Sequence, residues 1–144
     1  MESPESVVPH CLGIRVYYED TDFSGIVYHA SYLRFMERGR TEFLRERGIS
    51  QGLLAMRSEG EAFAFVVRGM VLDFLRPARM DDELIVETLI ETIGGASITM
   101  TQRVTRQDSE QKTILVTATV RLAILAGSRA KRIPPSIRAK LAEG

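Results

Sequence analysis

The chain has 144 residues, a length that fits one domain and leaves little room for two. Its hydrophobic fraction of 44% and charged fraction of 26% are those of an ordinary globular domain. Lysine plus arginine equals aspartate plus glutamate at 19 each, so the chain lacks the basic excess that marks nucleic-acid and membrane-surface binders. Composition therefore predicts one domain over residues 1–144 and argues against a nucleic-acid partner.

The cysteine count and the hydropathy pattern bear on the compartment. Cys11 is the only cysteine, so no intrachain disulfide can form, as is usual in reducing compartments. No apolar run approaches the roughly 20 residues that cross a bilayer, and the N-terminus lacks the basic region of a secretory signal. We expect a cytoplasmic protein without a membrane span, and a loose, proline-punctuated arm over residues 1–12.

The first third of the chain predicts a strand, a turn and a long helix. Residues 13–19 are rich in β-branched and aromatic side chains, and residues 20–25 have turn chemistry. A helix is predicted over residues 30–47, with Gly48 as its stop, and residues 50–56 are a candidate for a short second helix. The apolar stripe of the long helix consists of Tyr32, Met36, Gly39 and Phe43, flanked by Leu33 and Leu44.

From residue 62 onward the hydrophobic period changes to that of strands. In residues 97–105, Ile98, Met100 and Val104 alternate with polar residues, and Gly94–Gly95 is a hairpin signal. Four strands and a short terminal helix are predicted, at residues 62–75, 83–93, 97–105, 114–124 and 136–142. One long helix facing a run of hairpin-linked strands is an α+β arrangement with an antiparallel sheet.

Three acids, Glu19, Asp20 and Asp22, lie between the first strand and the long helix. A carboxylate there can cap the turn, because unpaired helix N-terminal amides favour negative charge. It can instead act as base or nucleophile while those amides hold an oxyanion. Residue type alone leaves both roles open, with capping the commoner one.

Other catalytic arrangements are poorly supported. The chain has no G-x-S-x-G elbow, and a serine or cysteine triad would have to use His10 or His29, the only histidines. Cys11 lies beside His10 in the predicted arm, where neither is well supported. With two histidines and one cysteine, and no H-E-x-x-H or C-x-x-C spacing, no metal site is predicted.

The segment from residue 17 to residue 48 carries a specific pattern. It reads YYEDTD up to Asp22, then GIVYH over residues 25–29, then Tyr32 and a helix with Glu37, Arg40 and Thr41. The pattern D-x-x-G-x-V-Y-H-x-x-Y resembles the hot-dog thioesterases of the 4-hydroxybenzoyl-CoA thioesterase type, in particular the YbgC branch associated with the Tol-Pal system. The segment covers about a quarter of the chain.

This resemblance implies a hot-dog fold, with a long central helix wrapped by an antiparallel sheet, and hydrolysis of an acyl-CoA thioester to a free acid and CoA. It places the catalytic carboxylate on Asp22, as general base or nucleophile, and the carbonyl-polarising amides on Tyr28 and His29. Glu19 and Asp20 are then mainly structural. No metal or redox cofactor is implied, since CoA is part of the substrate.

The resemblance also implies partners. Arg129, Lys131 and Arg132 form a basic cluster that is either a solvated tail or a contact for the CoA phosphates. A homo-oligomer, as a dimer of dimers, is expected, with active sites at the subunit interface. The alternatives are a thioesterase acting on acyl carrier protein and a non-catalytic acyl-thioester-binding or scaffold module.

Overall fold

The computed structural model describes residues 8–52 and 62–143. It contains one antiparallel sheet in the order β1-β3-β4-β5-β2, with β6 added to β5, and one long helix. In chain order the elements are β1 His10–Arg15, a 3₁₀ turn Tyr18–Asp20, α1 Ser31–Glu46, β2 Ala64–Phe74, β3 Glu83–Ile93, β4 Ser97–Asp108, β5 Gln111–Ala126, β6 Arg129–Ala130 and α2 Pro135–Leu141. The predicted fold class is therefore confirmed. Residues 53–56 of the candidate second helix lie outside the described residues.

Helix α1 packs on the sheet through the stripe that the sequence predicts. Its four stripe residues and Leu44 are buried, whereas Leu33 is 42% exposed and lies off the stripe. At Gly39 a Cβ atom would lie 2.7 Å from Cγ1 of Val86, so the helix can sit this close to the sheet only because residue 39 has no side chain. Gly48, at φ +76°, ends the helix as predicted.

The alternation predicted for residues 97–105 is confirmed. Ile98, Met100 and Val104 are fully buried on the face of β4 that packs on the core. The same face carries Gln102, a polar residue that is also fully buried. The buried side of the sheet thus includes a polar position beneath α1.

The N-terminal strand is placed differently from the prediction. It spans His10–Arg15 rather than residues 13–19, and its register with β3 runs from His10 opposite Thr88 to Arg15 opposite Glu83. Residues 10–12 therefore belong to the sheet and not to a loose arm, because the edge of β3 pairs with them and Leu12 packs against the core. The chain leaves the strand because residues 18–20 close a 3₁₀ turn.

Among the described residues, β1 and β2 are the two ends of the five-strand path of the sheet. The outer edge of β2 pairs with no strand in the described part of the chain, and three apolar residues of this strand, Val67, Val71 and Phe74, are 44%, 69% and 52% exposed. Long apolar edges of this kind are usually covered by another chain or element. None of the helices in the described residues is long and apolar enough to cross a bilayer.

Candidate active site

A tight turn at the entrance to α1 presents Asp22. The Asp22 amide donates to the carbonyl of Ile26 at 2.9 Å, and Thr21 and Val27 form a β-bridge just outside that bond. Gly25, at φ +80°, lets the chain reverse, and its amide donates to the Asp22 carbonyl at 3.1 Å. The backbone on both sides of Asp22 is therefore held by hydrogen bonds while its side chain faces outward.

The Asp22 carboxylate is exposed and hydrogen-bonded to its own turn. Oδ1 accepts the Ser24 hydroxyl and the Ser24 amide, the latter at 2.8 Å. These bonds, the hydroxyl's first, hold the pKa of Asp22 below its usual value of 3.8, with smaller help from the Ile26 and Asp22 amides. Asp22 is consequently ionised at neutral pH, as a general base or nucleophile must be.

Asp20 organises the backbone around this turn. Its buried side chain accepts the Tyr17 amide at 2.8 Å, and its carbonyl accepts the Tyr28 amide at 2.9 Å and the Ser31 hydroxyl at 3.2 Å. The predicted structural role of Asp20 is confirmed by these bonds. Glu19 is exposed.

The same bonds correct one of the two predicted oxyanion donors. Because the Tyr28 amide already donates to Asp20, its hydrogen is engaged, which removes Tyr28 from the candidate donors. The His29 amide donates to no acceptor among residues 8–52 and 62–143. It lies two residues before the first residue of α1, where unpaired amides and the helix dipole favour negative charge.

A cleft of about 280 Å³ lies next to this amide. The ring of Phe74 contacts those of His29 and Tyr32, with centroid separations of 6.3 and 5.8 Å. The His29 ring is thus a wall of the cleft. The lining is mostly apolar and consists of Ile26, Val27, His29, Tyr32, Phe74, Leu75, Arg76 and Pro77. Such a lining suits an acyl group.

The segment of residues 76–82 begins in the lining of the cleft, with Arg76 and Pro77, and its backbone is bonded directly to the Asp22 turn. The Val27 amide donates to the carbonyl of Ala78 at 2.9 Å, and the Met80 amide donates to that of Gly25 at 3.2 Å. The Tyr32 hydroxyl accepts the Ala78 amide at 3.1 Å, and burial raises the pKa of Tyr32, which keeps it protonated. The Asp22 turn and the segment of residues 76–82 therefore form one hydrogen-bonded unit.

Arg106, at the end of β4, forms hydrogen bonds to this segment of residues 76–82. Its Nη1 donates to Asp82 at 2.9 Å and to the Pro77 carbonyl at 3.3 Å, and Asp82 in turn accepts the Arg79 amide at 2.9 Å. Asp108 accepts the Arg106 Nε–H at 2.9 Å. Sequence reasoning missed this network, and no local signal could reveal it, since Arg106 is 24 residues from Asp82.

The basic cluster does not lie near Asp22 in the same chain. Leu125 of β5 pairs with Ala64 on one side and with Ala130 on the other, so Arg129 and its neighbours lie across β5 from the beginning of β2. The cleft lies at the other end of β2, beyond Phe74, which is roughly 33 Å away for an eleven-residue strand. Within one chain the predicted catalytic and CoA-phosphate residues are thus separated.

Comparison with known proteins gives the family. Residues 16–141 match the model of the thioesterase-like superfamily. The chain belongs to that superfamily. It is 41% identical over 128 residues to the acyl-CoA thioesterase YbgC of Haemophilus influenzae, covering 88% of this chain and 89% of that protein. It is 48% identical over 96 residues to the acyl-CoA thioester hydrolase YbgC of Escherichia coli O6:H1, covering 67% and 69%.

Solved structures of the superfamily share the fold. A probable thioesterase from Bartonella henselae aligns with a TM-score of 0.80 at 46% identity, covering 88% of this chain and 99% of that one. A 4-hydroxybenzoyl CoA thioesterase mutant in complex with 4-hydroxybenzoyl CoA aligns with a TM-score of 0.84 at 17% identity, covering 94% and 100%. At that identity the second match supports the hot-dog fold alone. The fold expected from the turn-and-helix pattern is therefore confirmed.

Proposed function

We propose that this member of the superfamily hydrolyses acyl-CoA thioesters, with Asp22 as its catalytic carboxylate. The observation that carries the proposal is the Asp22 turn: an ionised, exposed carboxylate fixed by Ser24 precedes the His29 amide at the entrance to α1. The names of the YbgC relatives support acyl-CoA as the substrate. The apolar cleft beside His29 has room for an acyl group.

The proposed reaction has two possible routes. In one, Asp22 takes a proton from water, the hydroxide adds to the thioester carbon, and the C–S bond breaks to release the CoA thiolate, which regains a proton. In the other, an Asp22 oxygen attacks the carbon, the thiolate leaves a mixed anhydride, and water hydrolyses it. In both, the His29 amide donates to the oxyanion, and the reaction needs no resident metal or redox cofactor.

We further propose a dimer that pairs the two β2 edges. The exposed apolar side chains of β2 and the open side of the cleft favour a covering partner. Antiparallel pairing of two identical edges would bring the beginning of one β2 next to the end of the other. Arg129, Lys131 and Arg132 of one copy would then approach the Asp22 cleft of its partner, where they could contact the CoA phosphates. Two such dimers would make the expected tetramer.

The remaining expectations belong to the same proposal. We propose one hot-dog domain over residues 1–144, a cytoplasmic location consistent with the single free thiol of Cys11, and a functional link to the Tol-Pal system, which rests on the resemblance. Acyl carrier protein in place of CoA and stoichiometric acyl-thioester binding without turnover are the competing functions.

Thiol release from short, long and aromatic acyl-CoAs by wild type and Asp22→Asn tests the proposal. We expect turnover by wild type and at least a hundredfold lower kcat in the variant, about 2.7 kcal/mol of barrier, because asparagine keeps the shape and removes the charge. Glu19→Gln, in the same exposed loop, is the matched control and should retain activity. Equal kcat for wild type and Asp22→Asn would contradict the assignment. A single-turnover reaction in ¹⁸O-water distinguishes the two routes, because ¹⁸O can enter the Asp22 carboxylate only when a mixed anhydride is hydrolysed.

A further inference from the structure

Arg40 is a buried cation in the middle of α1. The residue is 8% exposed, and its Nη1 donates to Oε1 of Gln102 at 3.0 Å. Burial lowers its pKa, and the nearby charge of Glu37 acts in the opposite direction. Within residues 8–52 and 62–143, no carboxylate oxygen lies within 4.0 Å of the guanidinium.

On the sheet side, the groups that contact this guanidinium are neutral. Gln102 uses its Nε2 to donate to the Met36 carbonyl and to the Thr88 hydroxyl, both at 2.9 Å. On its sheet side the Arg40 guanidinium therefore has a neutral hydrogen-bond acceptor but no negatively charged partner. Because a buried ion without a partner of opposite charge is costly, Arg40 calls for an anion from the other side.

That other side is a cavity of about 210 Å³ between α1 and β2. Arg40 and Glu37 both line it, and Glu37 is exposed and forms no ion pair within the described residues. The cavity reaches the edge strand through Phe65 and Val67, and its lining is completed by Thr41, Leu44, Gln51 and Leu122. Arg40, which has no carboxylate partner among the described residues, thus faces the edge of the sheet that no described strand pairs with.

We propose that a second copy of the chain occupies this cavity and that Glu37 of each copy pairs with Arg40 of the other. The inference rests on the dimer proposed above. Edge pairing about a two-fold axis would lay the two α1 helices alongside each other, and at such an interface the contact of Glu37 with Arg40 is repeated automatically in reverse. The two residues are three apart, about 4.5 Å along the helix, so both lie near one point on its surface.

This arrangement accounts for the charges. Two glutamates and two arginines give no net charge at the interface, and each Arg40 gains the carboxylate that the described residues of its own chain do not supply. Each Glu37 lies between its own Arg40 and that of the partner. The pairing also selects one register of the two β2 edges, because a shift of the strands would separate the charges.

Charge reversal in separate copies tests the pairing. E37R and R40E each place four like charges around the proposed axis of a homodimer, so each protein alone should sediment as a monomer. Mixed in equal amounts, they restore both opposite-charge contacts and should form a heterodimer, detected by tagged capture and analytical ultracentrifugation. E42R and R45E reverse an exposed ion pair of the same spacing on the same helix and should leave self-association unchanged.

A neutral pair of variants covers a failure of R40E to fold. In E37Q and R40Q the dimer dissociation constant should rise about tenfold for each single change, and the double variant should lose little more than either. Three outcomes would overturn the pairing. They are additive losses of dimer affinity in the double variant, unchanged dimer affinity in the single variants, and E37R homodimers that do not exchange with R40E. A higher KM for acyl-CoA in R40Q with an unchanged dimer would assign the cavity to a ligand and would equally overturn it.

The dimer itself is tested separately. V71D places a charge on the edge strand β2 at an exposed residue that does not line the cavity, and it should yield a monomer. If V71D is monomeric while the charge variants stay dimeric, the Glu37–Arg40 pairing is wrong and the proposed dimer stands. If V71D and the charge variants all stay dimeric, both are wrong. Activity of Asp22→Asn bears on neither result, so the hydrolase proposal is judged independently.

Discussion

Two polar regions along α1 use their hydrogen bonds in opposite ways. At the entrance, Asp22 is exposed, and its bonds run to its own turn, through Ser24 and Ile26. In the middle, Arg40 of α1 and Gln102 of β4 are buried, and their hydrogen bonds join the helix to the strands below it. The charged group of Asp22 thus faces solvent at the entrance to the helix, whereas the polar groups in the middle of the helix are hydrogen-bonded inside the protein.

The difference separates two functions of polar residues in one fold. A carboxylate held by local bonds in solvent costs the fold little, because water solvates its charge, and it remains available to a substrate. Buried polar groups stabilise the fold only while every partner is present, since each lost partner leaves an unsatisfied group. Changes in the middle should therefore act on stability, and changes at the entrance should act on catalysis.

The largest effect is expected from Gln102→Leu. This change deprives Arg40 of its acceptor and the Thr88 hydroxyl of its donor, and it removes the second hydrogen bond that the Met36 carbonyl accepts, so the free energy of unfolding should fall by ~3 kcal/mol. Urea unfolding followed by circular dichroism measures it. Gln107→Leu, at an exposed position, should change stability by less than ~0.5 kcal/mol. A loss below ~1 kcal/mol for Gln102→Leu would mean that the network contributes little.

An intermediate effect is expected from Arg106→Met. The variant keeps the apolar stem but loses the hydrogen bonds to Asp82 and to the Pro77 carbonyl. The segment of residues 76–82, which is bonded to the Asp22 turn, is then less firmly held. We expect kcat to fall about tenfold with a smaller change in KM, because small misplacements of catalytic groups are expensive. Steady-state kinetics measure both constants. Arg45→Met removes only an exposed ion pair and should leave them unchanged. A tenfold rise in KM alone would instead assign Arg106 to substrate binding.

The smallest effect is expected from Ser24→Ala. The Ser24 hydroxyl is the largest cause of the low pKa of Asp22, so its removal should raise that pKa towards the usual value. Because Asp22 must be ionised, activity is lost as pH falls through its pKa, and the acid limb of kcat/KM against pH should move to higher pH. Activity at pH 7.5 should change by less than about threefold, since Asp22 stays ionised there. An unmoved acid limb would show that another group controls it.

Local chemistry explains how much of this molecule was predictable. The stripe of α1, its end at Gly48 and the alternation around Met100 follow from the spacing of apolar residues and from the conformational freedom of glycine. The Asp22 turn was also visible, because aspartate, serine and glycine occur together before an amphipathic helix. Gln102 carried a signal too, since it occupies an inward position of an otherwise apolar alternation.

The errors have a common cause in backbone pairings that residue type alone does not reveal. The first strand begins at His10 because β3, more than seventy residues later, offers an edge to residues 10–12. The short strand β6 was not predicted, since its pairing depends on the reversal at Gly127, at φ +63°. The Tyr28 amide is engaged by the carbonyl of Asp20 across the turn, which the motif does not reveal.

By itself, the sequence determined the α+β fold class, the helix that faces the core and the turn that presents Asp22. These depend on periodicity and on residues within one turn or strand of each other. Only the tertiary structure decided that Arg106 supports the cleft, that the basic cluster lies at the far end of β2 from Asp22, and that Arg40 is buried without a described carboxylate. These features depend on which strands become neighbours, and strand pairing joins residues that are far apart in the chain.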